Sequence, residues 1–244
     1  MQPKTVLVTG APKRIGAEIA RALHRAGMNV ALHYRSSEKD ADALGAELNS
    51  LRSNSAVTLQ CDLLQTARLE DLVRKAGDRW GTLDAVVNNA SAFQPSPVGH
   101  VTERQWEELV GSNMKAPFFI AQAAAPMLKA SGGCIVNIVD IHAERPLKNH
   151  PVYSAAKAGL TALTRALAKE LAPHVRVNAV SPGAIIWPEN DPGEKQKKAI
   201  VSHILLKRTG CPADVAKAVL FLLNDADYIT GEVIVVDGGR SLFS

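Results

Sequence analysis

The chain has 244 residues, 46% apolar and 21% charged, the balance of an ordinary globular protein long enough for one well-buried core. No apolar run approaches the roughly 18 residues of a membrane span, and the leading "MQPKTVLVTG" lacks the pattern of a secretory signal. The net charge of +4 comes from scattered Lys and Arg without interleaved aromatics, which argues against nucleic acid and suits a polyanionic small molecule.

Strand-like and helical patterns alternate from the first residues onward. "TVLVTG" reads as a strand and "AEIARALHRAG" as the helix behind it; "NVALHYR" and a helix around "DADALGAELNSL" come next, then "AVTLQCD" and "ARLEDLVRKAGDRW". "LDAVVNNA" is a fourth strand, a long helix is expected from about Glu103 to Leu128, and "GCIVNIVD" is strand-like before the helical "YSAAKAGLTALTRALAKEL". "VRVNAVSPG" and "GEVIVVDGG" add two strands, while Lys195, Lys197 and Lys198 after the turn-rich "PENDPG" suggest a solvated loop or helix face. The strand runs are continuously apolar, as a parallel sheet covered on both faces requires. Residues 1–244 are therefore expected to form a single α/β domain, a Rossmann-type doubly wound parallel sheet with helices on both faces. Ligands then bind at the carboxyl ends of the strands.

The first turn carries Gly10, Arg14, Ile15 and Gly16, spaced for a tight bend and a helix N-terminus that favours a pyrophosphate. An NAD site would place Asp or Glu at the end of the second strand, but Tyr34, Arg35, Ser36 and Ser37 stand there. Arg35 can pair with a 2′-phosphate, the serines can donate to it, and Arg14 is a natural second cation, so NADPH is the expected cofactor. Asp62 either accepts from the adenine amino group or caps the helix after it. Asn89 and Ala90, in "VVNNAS", make a small-residue turn where backbone can pass close to the cofactor.

Tyr153 and Lys157 lie four residues apart, hence on one helix face. The lysine cation is expected to lower the phenol pKa and ready it to give and recover a proton. Asp140 ends the preceding strand, thirteen residues before the tyrosine.

With these features in place, the chain resembles the short-chain dehydrogenase/reductase family along essentially its whole length: "TGAPKRIG", "NNA", Asn113, "YSAAK", "SPGAI" and "YITGEVIVVDGG" stand in that family's order. The resemblance implies that Asn113, Tyr153 and Lys157 are catalytic and that Lys157 also holds the nicotinamide ribose. Pro182, Gly183 and Ile185 would line the nicotinamide. Two departures, Arg14 for a glycine and Asp140 for a serine, match the pteridine reductase branch, as do "HYRSS" and "NNASAFQPSP". In that branch Ser91 would contact the pterin and Phe93 would stack it against the nicotinamide; as a bland alternative Phe93 is a core residue.

An ionised aspartate cannot donate to a ketone oxygen, so Asp140 suits reduction of a C=N bond, where it can relay a proton or hold the tyrosine that does. Asp140 also disfavours a Tyr153 phenolate; its alternative role is a loop cap. The implied function is an NADPH-dependent pterin or dihydrofolate reductase, with Ser91, Phe93, Asp140 and Tyr153 as the substrate set and Asn113 supporting a water or backbone relay. Alternatives are a ketoacyl-type carbonyl reductase and an NADP(H)-binding sensor.

Trp187 opens a stretch that reads as a substrate lid or a hydrophobic pin. His142, Glu144 and His150 match no common metal spacing, so no metal is expected. Cys61, Cys134 and Cys211 are too few and too far apart for a disulfide framework, which fits a reducing cytoplasm. By resemblance, the helix after Tyr153 and the Glu103–Leu128 helix would build a homotetramer.

Overall fold

A computed structural model of the chain describes residues 3–187 and 193–242. Seven strands, β1 (Thr5–Val8), β2 (Asn29–Tyr34), β3 (Ala56–Gln60), β4 (Ala85–Asn88), β5 (Cys134–Ile138), β6 (Arg176–Pro182) and β7 (Val233–Val236), pair in parallel in the order β3-β2-β1-β4-β5-β6-β7. The order reverses between β1 and β4, the place where an open α/β sheet leaves a crevice at its carboxyl edge.

The apolar runs are explained by two cores, one on each face. Val6 and Val8 of β1 point into a cluster with Ile19, Ala20 and Leu23 of α1 (Arg14–Arg25), Leu44 and Leu48 of α2 (Glu38–Leu51) and Val215, Val219 and Leu222 of α8 (Pro212–Asn224). Leu7 points to the other side, with Leu72 and Val73 of α3 (Leu69–Asp78), Ile120 and Ala124 of α5 (Ala116–Ser131) and Leu167 and Leu171 of α6 (Pro151–Leu171). Successive side chains alternate across a strand, so a strand buried on both faces needs apolar residues at every position.

Two elements differ from the sequence expectation. The helix expected over 103–128 is α4 (Glu103–Val110), a π-helical turn (Gly111–Lys115) and α5, ending at Gly132 with φ 63°. α8, outside the expected helices, covers the first core, while the lysine-rich segment forms α7 (Glu194–Ser202), the solvated helix face among its two expected readings. Among the described residues no helix is long and apolar enough to cross a membrane.

A buried polar chain locks α6 to the sheet. Asn88 donates from Nδ2 to Asn137 Oδ1 at 2.8 Å, and Asn137 donates from Nδ2 to Thr164 Oγ1 at 2.9 Å. Buried polar links of this kind set register where apolar packing alone would tolerate sliding. They fix where Tyr153 and Lys157, near the start of α6, emerge beside the crevice.

Candidate active site

The first turn is built around close approach. Gly10 has φ 61°, and a Cβ there would sit 2.9 Å from Ala90 Cα; one on Gly16 would sit 2.2 Å from Gly10 O. Thr9 Oγ1 accepts from the amides of Asn89 and Ala90, each at 3.0 Å, and Asn89 Nδ2 donates to the carbonyls of Thr9 and Gly10 at 2.9 and 3.0 Å. The loops after β1 and β4 are thereby one unit.

Lys13, at the N-cap of α1, supplies no side-chain cap. The amides of Arg14, Ile15 and Gly16 have no carbonyl partner among the described residues, which is the donor arrangement an anion takes at a helix N-terminus. Arg14, at φ 54°, turns its guanidinium to the carbonyls of Ile186 and Trp187 at 3.4 and 3.2 Å, tying the first turn to the loop after β6.

At the end of β2, Tyr34 is buried while Arg35 and Ser36 are exposed. Arg35 Nη1 stands 3.5 Å from Glu108 Oε1 on α4, a surface pair worth little that a phosphate dianion can displace. No carboxylate closes β2, so the donor set here fits a 2′-phosphate better than a bare ribose. Asp62 Oδ1 accepts from Leu64 N at 3.1 Å, a local cap, and that oxygen is therefore engaged in its own turn.

Pro182 ends β6 and is buried; Gly183 lies so close to Asp237 that a Cβ would meet Asp237 Cβ at 2.6 Å. Ile185 packs its side chain into the first core.

At the other end of the crevice, Tyr153 Oη donates to Asp140 Oδ2 at 2.7 Å, while Asp140 Oδ1 accepts from His142 N at 2.8 Å. The aspartate is both the expected loop cap and the tyrosine's partner. Lys157 is buried, donates from Nζ to Ile138 O at 2.8 Å, and lies 5.8 Å from the Tyr153 ring centroid.

Here the expectation that Lys157 lowers the phenol pKa is corrected. Burial, and then the Asp140 carboxylate, push Tyr153 well above the ordinary phenol value. Burial also draws Lys157 down to about 8, against an opposing pull from Asp140. The phenol is therefore held protonated at neutral pH.

The loop after β4 lies across this pair. Ser91 Oγ donates to Asn113 Oδ1 at 2.7 Å, and Asn113 Nδ2 donates to Ala92 O and Leu109 O at 2.8 and 2.9 Å. The fully buried Asn113 side chain is thus spent on the loop and its own helix, and any part in a relay falls to its backbone. Phe93, 54% exposed, is no core residue: one face stacks on His150 with centroids 4.6 Å apart, and its ring meets Tyr153 at 84° and 4.8 Å.

Ser96, fully buried, donates from its amide to Asn149 O at 2.7 Å and accepts from Val152 N at 3.3 Å, pinning the loop to the start of α6. Nothing in the sequence singles it out. Trp187 and α7 line a shallow, open surface depression of about 450 Å3, and beyond Trp187 the lid or pin stretch falls on residues 188–192, outside the described residues.

The comparisons agree with this geometry in kind. A family model described as enoyl-(acyl carrier protein) reductase matches residues 10–241. Pteridine reductase 1 of Leishmania tarentolae is 38% identical over 276 aligned residues, covering 97% of this chain and 96% of its own. An uncharacterised oxidoreductase of Methylorubrum extorquens is 36% identical with 98% of each chain covered. A 3-oxoacyl-(acyl-carrier-protein) reductase FabG of Staphylococcus aureus is 33% identical with 97% of each covered.

Proposed function

The chain belongs to the short-chain dehydrogenase/reductase family, and from that premise we propose that it is an NADPH-dependent reductase of pterins or dihydrofolate. The observation that carries the reading is the 2.7 Å hydrogen bond from Tyr153 Oη to Asp140 Oδ2. A ketone reductase needs a second donor at the carbonyl oxygen, and a carboxylate has none to give. A C=N bond needs one proton delivered to its nitrogen, and a protonated phenol with a carboxylate behind it can deliver that proton.

In this reading Arg14, Arg35, Ser36 and the first-turn amides of α1 hold the dinucleotide, with Gly183 giving its backbone close access to the nicotinamide. When bound, NADPH supplies the hydride for the ring carbon. Tyr153 passes its proton to the neighbouring ring nitrogen, the Asp140 carboxylate accepts the hydrogen bond that aims the phenol, and the phenolate regains its proton from solvent, with Asp140 picking that proton up and handing it on. The cation on Lys157 steadies the negative charge that passes through Tyr153. Phe93, stacked on His150 and 54% exposed, offers a flat aromatic surface beside Tyr153 for an aromatic heterocycle. Its edge-on contact with Tyr153 keeps the platform and the proton donor together.

A carbonyl reductase is the second reading, favoured by the 33% identity to the FabG reductase. NADPH oxidation with dihydrobiopterin, dihydrofolate and acetoacetyl thioester offered side by side separates the two. Turnover confined to the pterin-type substrates supports the first, and turnover on the thioester alone overturns it. A cytoplasmic homotetramer built through α6 and the α4–α5 run belongs to the same proposal, and light scattering of the purified protein tests the oligomeric part.

A further inference from the structure

His33 is the penultimate residue of β2, following the apolar Val30, Ala31 and Leu32, and is only 2% exposed. A polar ring in such a place has to be satisfied on both nitrogens. Nε2 lies 3.0 Å from Cys61 O, which can only accept, so Nε2 carries the proton. Nδ1 is then the lone pair, and it takes the amide of Gly10 at 3.1 Å. The next amide, from Ala11, goes to the backbone carbonyl of the same histidine at 3.0 Å.

We propose that His33 is a positioning residue of the dinucleotide site: by holding the Gly10 amide on Nδ1 it fixes the first turn in the shape that leaves the Arg14, Ile15 and Gly16 amides to a pyrophosphate. The Gly10 and Ala11 amides, by the same bonds, are not phosphate donors in this chain. Gly10 is in the left-handed region, where the backbone gains little from helix or strand pairing and needs an outside acceptor to stay put. The ring also reaches across to Cys61, so the loops after β1 and β3, which would flank the two ends of an adenosine diphosphate moiety, are tied through one side chain. Burial draws His33 down to about 4, so the ring is neutral and its lone pair is available through the working pH range. This inference rests on the dinucleotide reading of the first turn given above.

Asparagine and glutamine separate the two halves of the imidazole. An Asn amide places its oxygen near the Nδ1 position and can still accept from Gly10, whereas a Gln amide reaches the Nε2 position and keeps only the Cys61 bond. NADPH binding to wild type, His33→Asn and His33→Gln is measured by quenching of protein fluorescence, with melting temperature recorded for each and kcat at saturating cofactor as the control.

The expected result is a dissociation constant about ten-fold higher for His33→Gln and within about three-fold of wild type for His33→Asn, with kcat little changed in either. Equal weakening in both variants, or no weakening in His33→Gln, makes His33 a packing residue and overturns the proposal. Should His33→Asn not fold, nitrogen-15 spectra of the wild-type imidazole decide. A single Nε2–H tautomer that persists on NADPH addition is expected, and tautomer exchange in the complex overturns it. Wild-type protein that binds NADH and not NADPH ends the 2′-phosphate assignment while the Asn–Gln contrast, read with NADH, still judges His33. Protein that binds neither overturns both.

Discussion

Replacing Asp140 by Asn changes one charge and almost no volume, and it acts on two hydrogen bonds at once. Oδ1 accepts from His142 N at 2.8 Å and Oδ2 accepts from Tyr153 Oη at 2.7 Å. An amide has one oxygen. If it stays on the His142 amide, an N–H faces the tyrosine, and the phenol becomes an acceptor with its proton turned elsewhere. The electrostatic change is large: a phenolate 2.7 Å from a carboxylate is repelled by about 6 kcal/mol at an effective dielectric of about 20.

Removing that charge lets the phenol pKa fall, while burial continues to hold it up. Spectrophotometric titration of the phenolate, with Tyr153→Phe as the blank for Tyr34 and Tyr228, measures the direction. In steady-state NADPH oxidation Asp140→Asn is expected to lose about 100-fold or more in kcat with dihydrobiopterin, the scale of a lost proton-transfer partner. With acetoacetyl thioester it should lose nothing and can gain, because the amide now supplies a donor. A variant that reduces the pterin within about three-fold of wild type, or whose phenol titrates unchanged, refutes this account of Asp140.

Arg35→Ala is expected to weaken NADPH by about 10- to 100-fold and to leave NADH nearly unaffected, measured by fluorescence titration with each dinucleotide. Ser96→Ala leaves the Val152 amide without its acceptor and should raise the pterin KM about five-fold while the NADPH dissociation constant stays at the wild-type value. Equal loss in both would mean general unfolding. Lys157, drawn to about 8 from 10.5, costs the fold stability wherever it is charged, and between those values the unfolded chain binds the extra proton, so stability rises with pH there by about 3 kcal/mol from this group. In urea unfolding, the advantage of Lys157→Met over wild type should therefore be about 3 kcal/mol larger at pH 7 than at pH 10, and a gap independent of pH contradicts it.

The inner strands are legible in the sequence because β1, β2, β4, β5 and β6 are buried on both faces, so Val6, Leu7 and Val8 could be nothing but apolar whichever way they point. The helix over Pro212–Asn224 carries a signal too, a proline at its first position and Val215, Val219 and Leu222 on one stripe, yet it is absent from the expected elements. Its place against α1 depends on a long-range packing that spacing does not reveal. The i, i+4 pair of Tyr153 and Lys157 is visible, but the local rule gives the wrong sign for the phenol. Burial and a carboxylate thirteen residues away outweigh the neighbouring cation. Arg35 and Phe93 are legible as exposed polar or aromatic residues in loop surroundings. His33 can be noticed as the odd residue in an apolar strand, since a buried imidazole needs partners. Ser96 cannot, because its role exists only through Asn149 and Val152, more than fifty residues away.

The π-helical turn at Gly111–Lys115 has a consequence for how this chain can vary in length. Each residue of an α-helix advances it by about 100°, and a π-turn amounts to one residue inserted without lengthening the helix by a full turn. Ala116, Ile120, Ala121, Ala124 and Leu128 of α5 face the second core in the phase that this insertion sets. Deleting one residue from 111–115 would regularise the helix, yet it would swing that whole face away from Leu7 and Val86 while dragging Asn113 off the Ser91 loop. Core packing and substrate-loop anchoring are therefore committed to the same residue count, and changes of length in this protein are confined to places where no helix has to keep its phase.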